Sequence, residues 1–394
     1  MVVTLPKKAL ERVQLGQAFA EYDLIRDDPE LFVSTPSTIA ALNADDGSCF
    51  FVGRRGAGKT AIVYEVQRRH RKTTSITPQI FDLLRLPLEN EKFSDTKQRP
   101  FKSLMHTMER ALVDEVWRMI IEQRGLDFKN APPTVTRERN LIEGCDFDQR
   151  IINLSEEIFD AYSKNQDRLW LRQISRSKEL IEELNNFVGN SNVKYIILID
   201  RLDESWDGSD SAIICLMALM HAAVRLTANT SSIRPYIFIR ENIYDRIRLL
   251  DNEFSRLETS VVFLDWSEKK LQELVERRLV RPFPTKPKLG GEAWDLFFEQ
   301  IDGSSSSTRV MQLCQHRPRD VLMLTSYAVD AAVANGNAKI TENDLSDATK
   351  RYSTSRLKDL GDEFSENYPN VAIIIEHLRI RNRIYGCRNR RLYR

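Results

Sequence analysis

Hydrophobic residues follow two different patterns along the chain, and the change between them divides the sequence. Up to about residue 265, short unbroken apolar runs alternate with longer stretches in which apolar residues recur at helical spacing. The short runs are typical of strands buried on both faces of a parallel sheet, and the longer stretches are typical of covering helices. From Ser267 onward only the helical pattern is present. The sequence therefore predicts an α/β fold with a mainly parallel sheet flanked by helices, followed by a helical domain.

The same pattern, and the residues that interrupt it, predict the individual elements. Strands are predicted at residues 50–52, 79–83, 195–199, 235–239 and 260–264. In the first part of the chain, helices are predicted at residues 9–19, 37–42, 59–72, 101–122, 151–162, 174–187 and 212–226. In the second part they are predicted at residues 268–279, 292–301, 308–314, 320–333 and 342–352, separated by Pro, Gly and Ser breaks.

These elements predict the domain organisation. We expect a polar N-terminal lead-in at residues 1–48 and an α/β core at residues 49–265. The core contains a helical insertion at about residues 85–190, between its second and third strands. A helical lid is predicted at residues 266–352, and a C-terminal segment at residues 353–394 ends in a basic tail.

The composition is that of an ordinary soluble protein and argues against several classes. Lys and Arg number 58 against 57 Asp and Glu, so the formal net charge of +1 creates no overall field that attracts nucleic acid or a membrane. The five cysteines are scattered without a C-x-x-C pair, which is typical of reduced thiols rather than of disulfides or a zinc site. Neither a signal peptide nor an apolar span of transmembrane length is visible. We therefore expect a cytoplasmic protein with no membrane partner.

The strongest local motif lies between the first strand and the helix that follows it. Residues 53–60 have the spacing G-x-x-x-x-G-K-T, in which glycines let backbone N–H groups surround a phosphate at a helix N-terminus. Lys59 can then reach the β- and γ-phosphates, and the Thr60 hydroxyl can bind Mg²⁺. The motif predicts a nucleotide-binding loop formed by Gly53, Arg54, Arg55, Gly56, Ala57, Gly58, Lys59, Thr60 and Ala61. A glycine-rich turn without a ligand would leave Lys59 unexplained.

A second motif follows the apolar run at residues 195–199, where the chain continues with three carboxylates. Open α/β sheets bind ligands at the carboxyl ends of their strands. We expect Asp200 to hold the Mg²⁺ shell and Glu204, or else Asp203, to orient and polarise the attacking water. An acidic turn without catalytic function is the alternative, and the upstream loop argues against it.

Further charged groups have two interpretations each. Arg240 ends a predicted strand, so it either senses the γ-phosphate or forms a structural pair with Asp203. Residues 21–23 form either part of an adenine-side wall or a solvated loop. Near the start of a later helix, Pro318 is predicted to brace the nucleotide base and Arg319, like Arg317, to reach a bound phosphate; the alternative is an ordinary helix N-terminus with an early proline.

The last stretch of the chain, residues 379–394, is rich in arginine with two interleaved tyrosines. Such a patch can neutralise nucleic-acid phosphates. A solvated, frayed terminus is the favoured alternative. DNA is therefore a candidate partner that the sequence does not favour.

Together these motifs resemble the STAND and NACHT branch of AAA+-like P-loop ATPases, especially bacterial stand-alone proteins with a GRRGAGKT loop. The run from Asp200 to Glu204 is similar to the D-G-L-D-E Walker B motif of NACHT proteins, with Arg201 in place of the glycine. Residues 263–267 and the leucine-rich helix after them resemble the start of the helical lid. The family carries a G-x-P motif where this chain has His316 before Pro318.

The resemblance implies a nucleotide-gated switch. In this class ATP closes the lid on the core and permits assembly, and slow hydrolysis resets the protein. Such proteins often act in bacterial signalling or antiphage (antiviral) defence through a separate effector. Since no sensor repeat and no nuclease, TIR or protease motif is visible, we expect any effector to be another protein.

We therefore expect Mg²⁺-dependent hydrolysis of ATP by a protein that forms a homo-oligomer when ATP binds. Lys59, Asp203, Glu204 and Arg240 are the candidate catalytic residues, and Thr60 and Asp200 the metal ligands. ATP is preferred to GTP because no guanine-reading N-K-x-D motif lies in a suitable place. The alternative is a nucleic-acid-dependent ATPase, an origin-recognition-like or transposition-type loader whose basic tail binds DNA. A kinase-like phosphotransferase is disfavoured because the predicted lid is long and Glu204 suits the activation of water.

Overall fold

Parallel strands form the sheet around which the first part of the chain is built. In the described part of the chain these are β1 (Phe50–Val52), β2 (Thr73–Ile76), β3 (Tyr195–Ile199), β4 (Ile233–Ile239) and β5 (Val261–Phe263). Their order across the sheet is β2-β3-β4-β1-β5, and every pairing is parallel. The predicted α/β fold with a parallel sheet is therefore confirmed.

The protein is seen here in a computed structural model, which describes part of the chain. The described residues are 6, 8–17, 19–79, 96–97, 99–124, 130–163, 167–189, 193–204, 206–284, 289–300, 305–364, 370, 373–374 and 377. The chain divides into a core unit, Phe19–Ser267, and a helical unit that combines Glu268–Arg394 with Met1–Ala18. The predicted lead-in at 1–48 is thus shared between the two units, and the boundary lies after residue 267 rather than 265.

The helices of the core unit lie mostly where the pattern predicts them. They are α1 (Pro36–Leu42), α2 (Lys59–Arg69), α3 (Arg99–Arg124), α4 (Pro133–Arg137), α5 (Arg139–Ile142), α6 (Phe147–Ser163), α7 (Asp167–Val188), α8 (Asp210–Asn229), α9 (Glu241–Leu250) and α10 (Ser255–Glu258). Thr35 caps α1, because its hydroxyl accepts a hydrogen bond from the Thr38 N–H. Short 3-10 turns at Leu24–Arg26 and Pro29–Leu31 precede α1.

Alternating side chains along the strands divide the helices between the two faces of the sheet. Phe51, Leu198 and Phe238 point to one face and form a core with α1 and α2. Phe50, Ile197 and their counterparts in β4 point to the other face and form a larger core with α3, α8 and α9. The strands β1, β3 and β4 are therefore buried on both sides, which explains their nearly unbroken apolar sequence.

Two predicted elements differ from the structure: the helix predicted at residues 9–19 is a 3-10 turn at Ala9–Arg12, and the second strand lies elsewhere than predicted. This strand lies at Thr73–Ile76, and Gln79, at which the predicted strand begins, has no regular structure; residues 80–83 lie outside the described part. β2 is the edge strand next to β3, and only Ile76 is buried. Because an edge strand needs little apolar sequence, the run Thr-Thr-Ser-Ile gives no hydrophobic signal.

Buried arginines join the helices between β2 and β3. Arg150 is fully buried and donates hydrogen bonds to the backbone carbonyls of Leu141, Ile142 and Cys145, at 2.6, 3.0 and 2.9 Å. Its remaining Nη atom bonds the Glu115 carboxylate on α3. The guanidinium thus fixes the α5–α6 connection to α3.

The helical unit consists of α11 (Glu268–Val280), α12 (Glu292–Phe297), α13 (Ser306–Leu313), α14 (Pro318–Ala334) and α15 (Glu342–Phe364), with a 3-10 turn at Ala9–Arg12. Thr341 caps α15 as predicted, since its hydroxyl accepts from the Asp344 N–H at 3.3 Å. The last helix runs to Phe364, beyond the predicted end at residue 352. The C-terminal helical region is confirmed.

One helix among the described residues is long and apolar enough to cross a membrane. This helix is α8, and 67% of its most apolar window is buried inside the protein. Its apolar residues pack against the sheet and α3 as part of the core. It is the central core helix of the sheet face that it covers.

Candidate functional site

The residues that the sequence analysis singled out in the core unit lie at the carboxyl edge of the sheet. The chain leaves β1 into α2 on one face, whereas it leaves the neighbouring strand β4 into α9 on the opposite face. Such a change of face opens a crevice between the two strands, and open α/β sheets bind ligands there. The topology therefore places a concave site between the ends of β1 and β4.

A glycine-rich loop, residues 53–58, forms one wall of this crevice. Gly56 and Gly58 have φ values of +80° and +96°, a region that residues with a Cβ rarely adopt. Gly53 has a different reason to be glycine, because a Cβ there would lie 3.0 Å from the Leu264 Cβ and 3.1 Å from the Ala57 Cβ. The loop is thus held in a tight turn against the residue that follows β5.

Lys59 and Thr60 begin α2 directly after the loop, and Ala61 follows in the same turn. The Lys59 ammonium donates to the carbonyls of Gly53 at 2.9 Å and Arg54 at 3.2 Å, so it lies across the mouth of the loop. The Thr60 hydroxyl donates to the Asp200 carboxylate at 2.8 Å. This hydrogen bond joins the two motifs, which are separated by 140 residues in the sequence.

The environment of Asp200 opposes ionisation. The side chain is 5% exposed, and burial raises the pKa of its carboxyl group, although the hydrogen bond from Thr60 and the charge of Lys59 act in the opposite direction. A buried carboxylate beside a hydroxyl is a donor set that suits a hard divalent cation, which would in turn favour the charged form. The residues present therefore fit Mg²⁺.

The two other carboxylates of the acidic turn after β3 lie in different surroundings. Asp203 forms an ion pair with Arg240 at the end of β4, one of the two interpretations that the sequence left open, and both side chains are partly exposed. Glu204 is about half exposed and lies 3.7 Å from the Arg201 guanidinium. Asp203 is thus engaged by a cation from the end of the neighbouring strand β4, while the Glu204 carboxylate remains accessible.

Two more ion pairs surround the edge. Arg54 in the loop donates to Glu241, the first residue of α9, at 2.6 Å. Arg201 pairs with Glu21 at 2.8 Å, which ties the segment before α1 to the turn after β3. The predicted adenine-side segment, residues 21–23, is therefore attached to this edge through Glu21, and Tyr22 beside it is 79% exposed.

Sequence reasoning missed Trp266 as a residue of the site. Its indole N–H donates to the Ala57 carbonyl in the loop at 2.9 Å, and its ring passes beside Gly58. The residue comes shortly after β5, whose carboxyl end lies next to β1, and this position is the only signal that sequence offers for the contact. Trp266 thus braces the loop from the side opposite β4.

Pro318 and Arg319 belong to the helical unit, where the structure shows ordinary structural roles for both. Pro318 is the first residue of α14. Arg319 is 8% exposed and forms an ion pair with Asp359 of α15 at 3.1 Å, while Arg317 bonds Asp320. Contact of these residues with a nucleotide stays a prediction. The basic tail at 379–394 lies outside the described residues.

Comparisons with known proteins find similarity to one described family and to proteins of Escherichia coli and Alternaria alternata. Residues 269–361 match the family described as the FunZ-associated C-terminal helical domain. The chain is 24% identical over 359 residues to the putative transposon gamma-delta 80.3 kDa protein of Escherichia coli K12. That alignment covers 88% of this chain but 51% of the relative, so the chain spans about half of that protein's length.

A second relative comes from a fungus. The allergen Alt a 2 of Alternaria alternata is 28% identical over 144 residues, which are 36% of this chain and 76% of the allergen. No solved structure matches the chain.

Proposed function

We propose that the core unit binds Mg²⁺-ATP at the carboxyl edge of its sheet and hydrolyses it to ADP and phosphate. The observation that carries the proposal is the hydrogen bond between Thr60 and Asp200, beside Lys59 at the mouth of a glycine-rich loop. A phosphate-binding loop, a loop lysine, a metal-binding hydroxyl and a strand-end aspartate are the parts that P-loop nucleotide hydrolysis requires. The loop and the aspartate come from distant segments of the sequence and meet at the carboxyl edge of the sheet.

The residues of the edge have distinct roles in this proposal. Backbone N–H groups of the loop and the N-terminus of α2 bind the phosphates, and Lys59 moves from its loop carbonyls to the β- and γ-phosphate oxygens. Thr60 and Asp200 would hold Mg²⁺, which supplies charge neutralisation between the β- and γ-phosphates. Arg240, which follows β4 at the same edge, stabilises the charge that develops on the transferred group.

Glu204 is the better candidate for activating water. Its carboxylate accepts a proton as the water oxygen attacks the γ-phosphorus and the bond to the β-phosphate oxygen breaks. Asp203 is less suited because its carboxylate is already paired with Arg240. The half-exposed side chain of Glu204 has room to turn toward a bound γ-phosphate.

The larger role that we propose is a nucleotide-gated switch of the STAND or AAA+ type. ATP binding would drive closure and homo-oligomerisation, and the associated state would act on a separate effector protein, as in bacterial antiphage defence. Cytoplasmic location is part of the proposal, and the described cysteines, which are all free, are consistent with a reducing compartment. A ligand drives such a change only through its different affinities for the two states.

A nucleic-acid-dependent ATPase is the second candidate. It is favoured by the similarity of most of this chain to a protein whose name assigns it to a transposon. In this case DNA would stimulate turnover, and raising the salt concentration would remove the stimulation because releasing counterions into a saltier solution gains less entropy. ATPase rates with and without duplex DNA, at low and high salt, distinguish this candidate from the switch.

The nucleotide site is tested by Lys59→Ala, with Lys102→Ala on the exposed side of α3 as the matched control. Titration calorimetry with Mg²⁺ and a slowly hydrolysed ATP analogue should show binding by the wild type and the control but not by Lys59→Ala. Equal affinities in all three proteins would refute the site. Thermal unfolding without nucleotide should be the same in all three.

The switch is tested with Glu204→Gln, which should bind ATP but hydrolyse it about 10²–10⁴-fold more slowly because an amide is a poor proton acceptor. Light scattering at equal protein concentration should then give a higher mass with ATP than with ADP. Identical masses would rule out assembly as the output. Unimpaired hydrolysis would move the catalytic role to Asp203.

A further inference from the structure

Arg201 has an unusual backbone conformation for a residue with a side chain. Its φ is +60°, in the left-handed region that glycine adopts without strain. Nothing in the turn itself requires an arginine, since the turn is closed by the hydrogen bond from the Glu204 N–H to the Arg201 carbonyl at 3.0 Å. The contacts of the side chain must therefore offset the cost of this backbone conformation.

The guanidinium of Arg201 lies between two carboxylates from different parts of the core unit. One Nη atom is 2.8 Å from the Glu21 carboxylate, and the other is 3.7 Å from that of Glu204. A planar fork can address two carboxylates at once, which an ammonium cannot do in the same geometry. Arg201 thus links the segment before α1 to the proposed water-activating group.

The two distances indicate which carboxylate holds the guanidinium and which one is only attracted by it. Glu21 is at hydrogen-bonding distance and holds the guanidinium, whereas Glu204 is attracted without a direct hydrogen bond. The Glu204 carboxylate therefore remains able to accept a proton, and the nearby guanidinium, which Glu21 holds, favours one direction of that carboxylate.

Resting on the proposed ATPase function, we propose that Arg201 is a positioning residue that directs the Glu204 carboxylate toward the attacking water, and that Glu21 holds Arg201 in place. In this proposal the residue acts through Glu204 rather than by its own contact with nucleotide or metal. Hydrolysis would then depend on the segment before α1, although that segment supplies no catalytic group.

Arg201→Gly is the informative variant because glycine relieves the left-handed conformation, so the fold should be at least as stable as in the wild type. We expect kcat to fall about ten-fold, since misdirected catalytic groups lose much of their effect, while the Kd for ATP stays within about two-fold. Arg201→Lys keeps the charge without the fork and should have an intermediate kcat. Arg139→Ala, which removes the exposed Arg139–Glu143 pair at 2.7 Å in the same unit, is the control and should match the wild type.

A double-mutant cycle tests the part played by Glu21. Glu21→Gln should lower kcat in the same direction but less, and adding it to Arg201→Gly should cause no further loss, because both act through one contact. Wild-type kcat in Arg201→Gly, or a parallel loss of kcat, ATP affinity and thermal stability, would overturn the inference while leaving the ATPase intact. Absence of ATP hydrolysis by the wild type would instead overturn the proposed function and this inference with it.

Discussion

The arginines at the sheet edge and those in the helices between β2 and β3 form similar ion pairs in different surroundings. Arg150 is completely buried, and its hydrogen bonds go to backbone carbonyls as well as to Glu115. Arg240 is 22% exposed, and it forms an ion pair with the side chain of Asp203, which follows the neighbouring strand β3. Both are arginine–carboxylate pairs, but only the second has a partner that can move away.

This difference separates a structural charge from one available to a ligand. A buried guanidinium that satisfies backbone carbonyls cannot leave without stranding polar groups away from water. A guanidinium held by one partly exposed carboxylate can exchange that partner for a phosphate oxygen at little cost, because such pairs contribute little to stability. The number of ion pairs therefore says less about function than the nature of the atoms that each cation contacts.

The largest effect should follow from removing Arg150. Arg150→Leu leaves three backbone carbonyls without this donor and takes from Glu115 its fully buried partner, while Arg118 remains. Breaking a buried pair typically costs about 3–5 kcal/mol. Arg118→Leu is the matched control, because Arg118 pairs with the same Glu115 but is 34% exposed, and we expect a loss of about 1 kcal/mol or less. Urea unfolding measures both. Equal losses would remove the distinction between the two classes of pair.

Arg240→Ala should give the opposite profile. We expect the free energy of unfolding to change by less than about 1 kcal/mol, since the pair is partly exposed. Hydrolysis should slow by about 10²-fold, because a charge that stabilises the transition state contributes most during the reaction, while ATP affinity changes little. Single-turnover rates measure the effect on hydrolysis, and calorimetric Kd values measure the effect on ATP binding. Wild-type turnover with lower stability would make Arg240 a structural residue like Arg150.

The sequence was sufficient to predict the features that depend on local pattern. Unbroken apolar runs predicted β1, β3 and β4, and the glycine spacing predicted a tight loop before α2. Because the two motifs were expected to share one Mg²⁺ at the carboxyl edge of the sheet, they also predicted that Thr60 and Asp200 lie close together.

Features that depend on side-chain contacts between distant segments could not be predicted in this way. The bond from Trp266 to the loop depends on where β5 lies in the sheet, and sequence does not specify strand order. The link between Arg201 and Glu21 joins two distant segments of the chain, and no pattern in the sequence pairs them. The end of α15 was missed because polar residues interrupt the apolar periodicity after Tyr352.

The smallest expected effect comes from Trp266, whose contact with the loop is a neutral hydrogen bond rather than an ion pair. Trp266→Phe keeps an aromatic ring beside Gly58 but removes the N–H that bonds the Ala57 carbonyl. A single neutral hydrogen bond contributes about 0.5–1.5 kcal/mol, so losing it should weaken ATP binding by about two- to ten-fold through a less rigid loop. Trp294→Phe is a matched control in the helical unit, where the buried indole packs on Phe298. It should alter unfolding of its own unit without changing ATP affinity. If Trp266→Phe binds ATP as tightly as the wild type, the bond from Trp266 does not contribute to the affinity of the site. The loop is then held by its glycines, by Lys59 and by the ion pair of Arg54 with Glu241.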